Sequence, residues 1–205
     1  MPSQQRAIET RQRLLDAALA RIVRQGYEAT SVAEVCDEAG LSKGAFYHHF
    51  SSKQALFVAL LERWLEGIRR QRDAIDAETQ AVPEALRRMA VLLRQVFSDA
   101  QGQLPLVLDF WSQARRDPAV WERTVSPLRE FRVYFSDLLA RGAAQGSLRP
   151  IDPEAGAQVL VSLAVGLVLQ ALLDPSGADW GAQAEGAVLA LVRILERAPR
   201  GANTP

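Results

Sequence analysis

The chain of 205 residues holds a single cysteine, Cys36. One thiol can form neither an internal disulfide nor a cysteine-based metal cluster, and that fits a reducing compartment. Cys36 stands beside Val35 in a short apolar pattern, where a cysteine serves as a small buried hydrophobe. Histidine is almost as scarce. The only two are the adjacent His48 and His49, and neighbours on a helix point about 100° apart, which with no third ligand excludes a metal site. Beyond residue 50 there is no histidine, no cysteine and no glycine-rich phosphate loop, and the carboxylates are scattered among arginines. No convergent set of nucleophile, acid and base exists, so neither an enzyme nor a bound cofactor is expected.

Charge of one sign is also missing: 24 Lys and Arg face 24 Asp and Glu. That balance excludes bulk polycation behaviour but not DNA binding, because a small reading head needs only a few well-placed cations and backbone amides at phosphates. The opening residues, Met1 to Arg6, are polar and contain no apolar leader, so the chain is expected to remain in the cytoplasm. The one long uncharged run, 155–173, has the length of a membrane span. Gln158, Ser162 and Gln170 interrupt it, and no basic cluster flanks it, so it reads as a helix buried on several sides of a soluble protein.

β-branched residues form no alternating runs, while patterns with a 3.6-residue period are long, which together specify an all-α protein. A first helix is expected over 4–25, with Ile8, Leu15, Ala18, Leu19 and Ile22 on one face and Gly26 as its stop. Ser31 and Glu34 form a capping box for a short second helix that ends at Gly40. Ser42 caps a third, with Leu41 and Phe46 as a hydrophobic staple. Two brief helices joined by a tight glycine turn make a helix-turn-helix. Ser51 with Gln54 is expected to cap a long fourth helix through Leu56, Leu60, Trp64 and Ile68. Further helices are predicted over 83–100, 104–115 and from Pro118 to about Gly142, the last kinked or broken at Pro127 with Ser126 as a new cap. Two more follow, one from Asp152-Pro153 to Asp174 and one over 179–197. The total is about nine helices in two domains: 1–52, a three-helix DNA-binding head, and 53–205, a larger helical body.

The stretch from Thr30 to Leu56, TSVAEVCDEAGLSKGAFYHHFSSKQAL, resembles the DNA-binding region of the TetR family of repressors in all its parts and without gaps. On the third helix Leu41, Phe46 and Phe50 are spaced to anchor it inward. Ser42, Lys43, Gly44, Tyr47 and His48 are left to meet DNA, and Gly44 permits close approach of the backbone. By resemblance Lys43 reads a base edge, with guanine the expected base, and Ala45 belongs to the same contact set. Tyr47 and His48 suit phosphate or thymine. Thr30, Ser31 and Lys53 are expected at phosphates, the latter two because they sit at helix starts.

The resemblance further implies a homodimer that binds palindromic double-stranded operator DNA, joined through its last two helices, to which the final helix, with Val188, Leu191, Val192 and Leu195 as its apolar face, is expected to add Leu189, Val192 and Leu195. It also implies a small, mostly apolar or aromatic effector that releases the repressor. Candidate pocket residues are Trp64, Phe97, Phe110, Trp111, Trp121, Phe131, Phe135 and Gln170. Aromatics at helical spacing also fill ordinary cores, which leaves open a DNA-binding regulator with a solid core and no small-molecule inducer.

Overall fold

The computed structural model describes residues 2–99 and 118–197, with side chains described over 4–98 and 120–197. Eight α-helices occupy these residues: α1 (Pro2–Gln25), α2 (Val32–Ala39), α3 (Lys43–His49), α4 (Lys53–Glu78), α5 (Val82–Asp99), α6 (Pro118–Ala144), α7 (Pro153–Leu173) and α8 (Trp180–Leu195). The helix expected over 104–115, and with it Phe110 and Trp111, lies outside the described residues. The only extended pairing among the described residues is a single antiparallel bridge, Leu148 with Glu196. The protein is all-helical, as the periodicity requires.

The described residues fall into two compact units, 2–68 with 118–124 and 69–99 with 125–197. The first contains α1, α2 and α3 packed on one another. Its core is built from Leu14, Leu15, Ala18 and Ile22 of α1, Val35 and Cys36 of α2, Phe46 and Phe50 of and just after α3, and Leu56, Phe57 and Leu60 of α4. Cys36 is buried and free, and burial pushes its thiol up from the ordinary range, as suits an inert core group.

In the second unit α5 lies along α8 and α7 packs on α8. Val82, Leu86, Met89, Leu138, Leu139, Leu148, Leu160, Val188 and Val192 form its main core. Ion pairs reinforce the helix contacts, Arg94 with Glu185 at 2.9 Å and Arg87 with Glu196. Arg69 and Glu130 tie the later part of α4 to α6 at 2.6 Å.

Three expectations are corrected. The cap of α4 is Ser52, one residue later than expected: its hydroxyl accepts from Ala55 N–H at 3.0 Å. No capping box forms, because the third residue of the helix is then an alanine. Of the kink or break expected at Pro127, the break does not occur, since α6 runs unbroken through it. A proline removes one helical hydrogen bond, and here the buried site and the long helical stretches on both sides outweigh that loss. Finally, of the α8 residues expected at the subunit interface, Val192 is buried in the chain's own core, while Leu189 and Leu195 are partly buried against that core.

Candidate DNA-binding site

The site is assembled by helix caps. At the start of α2 the Ser31 hydroxyl accepts from Glu34 N–H at 3.2 Å, while a Glu34 carboxylate oxygen accepts from Ser31 N–H at 2.8 Å. This reciprocal box is the one the sequence spells out. The hydrogen bonds from Ser31, backbone first and then side chain, hold the Glu34 carboxyl down at about 2. At the other end Gly40 adopts φ 61° and ψ 41°, the left-handed conformation that favours glycine, and Leu41 N–H reaches back to Cys36 O at 2.9 Å. Arg13 of α1 donates to Ala39 O at 2.6 Å, so α2 is tied down at both ends.

The turn then delivers Ser42, whose hydroxyl accepts from Ala45 N–H at 3.1 Å and opens α3. Phe46 is fully buried and Phe50 nearly so, which fixes the rotation of this seven-residue helix. The opposite face is set by the same constraint. Ser42, Lys43, Gly44, Tyr47 and His48 are all exposed, Tyr47 to 57%, and Ala45 is half-buried beside them. Tyr47 meets Phe46 edge-on, with centroids 5.2 Å apart. His49 turns back toward the head: it is half-buried, and burial, then His48, then Arg11 lower its pKa.

Formal neutrality of the chain does not neutralise this face. Two acids of the head are held by arginines, Glu38 of α2 by Arg21 at 2.8 Å and Arg24 at 2.6 Å, and Asp16 of α1 by Arg63 at 2.6 Å. Lys43 takes part in no ion pair among the described residues.

Two of the residues expected at phosphates have side chains engaged within the head itself. Thr30 is 1% exposed, and its hydroxyl donates to Gly26 O at 2.8 Å, so its side chain closes the turn between α1 and α2. Lys53 is the first residue of α4, but its ammonium points inward. It donates to the carbonyls of Tyr27 at 3.0 Å, Thr30 at 2.9 Å and Glu28 at 3.4 Å, and lies 4.2 Å from the centroid of the Tyr27 ring. Nothing in sequence spacing signals this long-range contact. Arg13 was likewise missed, for the same reason.

The candidate pocket residues are divided between the units. Trp64 is half-buried and Trp121 is 43% exposed in the first. In the second, Phe131 is half-buried, Phe135 packs against the main core and Phe97 is closed off by Leu167, Ala171 and Ala184. Gln170 is exposed and donates to Gly166 O at 3.3 Å within α7.

Comparison with known proteins identifies this arrangement. Residues 14–60 match the N-terminal model of bacterial regulatory proteins of the TetR family, and residues 83–196 match the C-terminal model of BetI-type transcriptional repressors. The chain belongs to the TetR family. An HTH-type transcriptional regulator of Bacillus subtilis, YfiR, is 30% identical over 187 residues, covering 89% of this TetR-family chain and 90% of its own. The transcriptional repressor KstR2 of Mycolicibacterium smegmatis is 28% identical over 143 residues, 68% of each chain. A transcriptional regulator from Saccharomonospora viridis, solved in complex with choline, shares the fold with a TM-score of 0.81 at 21% identity, covering 92% of this chain and 99% of that one. This TetR-family chain is thus a helix-turn-helix transcriptional regulator and not an enzyme.

Proposed function

We propose that the protein is a cytoplasmic, homodimeric repressor that binds a palindromic operator and is released by a small, mostly apolar ligand. The observation that carries the DNA reading is the division of α3, where Phe46 and Phe50 are buried while Lys43, Gly44, Tyr47 and His48 project outward. A helix so anchored presents a short polar edge of the size that enters a major groove, with Lys43 at a base and Tyr47 and His48 at phosphate or thymine. Ser31 is exposed at the start of α2; its own N–H and hydroxyl are both given to the Glu34 carboxylate at 2.8 Å, so a phosphate oxygen facing Ser31 would be met by the remaining N–H groups of the first turn.

The dimer reading rests on α7. It is the one described helix long and apolar enough to cross a membrane, with a mean hydropathy of 2.0, yet only 28% of that window is buried within the chain. Val159, Leu169 and Leu173 of α7 and Ile194 of α8 are the large apolar side chains that these two helices leave exposed. A second copy placed across a two-fold axis covers such a face by forming a four-helix interface, and two joined heads then suit two half-sites about one helical turn apart, roughly 34–36 Å.

The ligand reading draws support from the choline-bound neighbour, whose fold accommodates a small molecule. A specific observation favours the alternative of a solid core: Phe97, a candidate pocket residue, is 2% exposed and enclosed by side chains of its own unit. Selection of bound fragments from a random DNA pool tests the main reading, with two symmetric half-sites expected and no enriched motif refuting it. Thermal unfolding against a panel of lipophilic and quaternary-ammonium compounds separates the inducible from the solid-core form, because a ligand of the folded state raises the midpoint.

A further inference from the structure

We propose that Lys53 is a positioning residue for DNA binding: its ammonium clasps the turn that feeds α2 and so sets the phosphate-facing end of that helix. The inference rests on the reading of Ser31 as phosphate-facing.

An ammonium has three N–H donors and no acceptor. At Lys53 three carbonyls lie within reach, those of Tyr27, Glu28 and Thr30, and all three belong to the turn that ends at Ser31. The donors are therefore fully used before any phosphate arrives. The Tyr27 ring beneath the ammonium stacks on Phe57 with centroids 4.2 Å apart and planes inclined at 25°. Phe57 lies one helical turn along α4 from Lys53, so α4 grips Tyr27 with two of its own side chains. The Thr30 hydroxyl closes the same turn onto Gly26 O. The next residue is Ser31, whose backbone and hydroxyl are locked by the Glu34 box.

Clasp, turn and cap form one continuous series from α4 to the start of α2. For Lys53 to swing out to phosphate, it would have to strip donors from part-buried carbonyls, which is costly when nothing replaces them. Left in place, its positive charge still stands beside the end of α2 that is to meet an anion. It contributes attraction without contact.

Lysine and arginine differ in the property that matters. A compact ammonium with three rotatable donors suits three convergent carbonyls, whereas a planar guanidinium does not, although it binds phosphate at least as well. Lys53→Arg therefore separates clasp from ligand. Binding is measured by titration on a duplex recovered from a random pool and on a random-sequence duplex, at a temperature where circular dichroism shows wild type and variant equally folded. Lys53→Arg is expected to lose about tenfold or more in affinity on the recovered duplex, with the salt slope of wild type because the charge count is unchanged. Phosphate ethylation interference at the position facing Ser31 should weaken, while base discrimination persists.

A second measurement uses wild type alone, so that a folding defect in the variant leaves the question open to decision. Acylation of lysines read by mass spectrometry should find Lys53 slow in the free protein and in the complex, and Lys43 shielded only by DNA. Lys53→Arg binding as tightly as wild type, or Lys53 that acylates readily when free and is shielded only by DNA, overturns the clasp alone. Wild type that enriches no duplex overturns the reading of Ser31 and the clasp with it.

Discussion

Ser31 and Glu34 exchange two backbone hydrogen bonds, Glu34 N–H to the serine hydroxyl at 3.2 Å and Ser31 N–H to the carboxylate at 2.8 Å. The carboxylate half of this exchange depends on ionisation, and the Ser31 donors hold the Glu34 pKa down at about 2. A carboxyl with a lowered pKa in the folded state contributes stability that is fully present above its unfolded value, about 4.3, and is lost as pH falls toward the folded value. Glu34→Gln is therefore expected to unfold at lower temperature than wild type at pH 6, with the difference shrinking as pH is taken from about 4.5 to 2. Melting curves of the two proteins across that range check this. A constant difference would show that the charge is irrelevant to the cap.

Lys43 stands on the exposed edge of α3 with no ion pair among the described residues. Lys43→Ala should cost roughly 1–3 kcal/mol on the specific duplex and relax preference at one position per half-site. Thermal stability should hardly change, since the side chain supports no core contact. Equal weakening on every duplex would assign Lys43 to phosphate instead.

The dimer is tested best at Ile194, which is 62% exposed in the single chain. Leu191, on the same helix, packs against the core of its own subunit, so a charge there would disturb the fold as well as any interface. Ile194→Arg should leave the helical content intact, shift sedimentation from dimer to monomer and weaken operator binding, because two unlinked heads no longer share one binding event. A variant that still sediments as a dimer would move the interface away from α8.

Two glycines make a matched pair. A Cβ built on Gly67, inside α4, meets nothing within 4 Å, so Gly67→Ala should gain about 0.8–1.0 kcal/mol of stability from helix propensity. A Cβ on Gly142 would lie 2.5 Å from Leu148 Cδ1 and 2.9 Å from Val82 Cγ1, so Gly142→Ala should lose typically 1–3 kcal/mol through overpacking. Denaturant unfolding of both variants reads the sign directly; two shifts of the same sign would contradict this packing.

Local chemistry was legible in the sequence, and contact at a distance was not. Ser31 with Glu34, Gly40 and Ser42 each act within five residues, and each cap formed where its residue type calls for one. Ser51 and Ser52 are adjacent hydroxyls with equal claims on the cap of α4, and only the path of the chain chose Ser52. The inward hydrogen bonds of Lys53 and Thr30 were not legible, because their partners, the carbonyls from Gly26 to Thr30, carry no mark in the sequence. On α8 the 3.6-residue period marks Val188, Leu191, Val192 and Leu195 as the apolar face, which is the core side, but it carries no signal for the exposed Ile194.

The two faces of α3 meet different physical requirements. Exchange of Phe46 or Phe50 disturbs the interior, so these positions are held by the requirement to fold. Lys43, Gly44, Tyr47 and His48 are exposed, and on the proposed reading a substitution there would change what is read at little cost to the scaffold. A gene copy of such a protein can drift toward a new operator through single steps that each leave a folded product. The reading edge is thereby free to evolve at a pace that the helix beneath it is not.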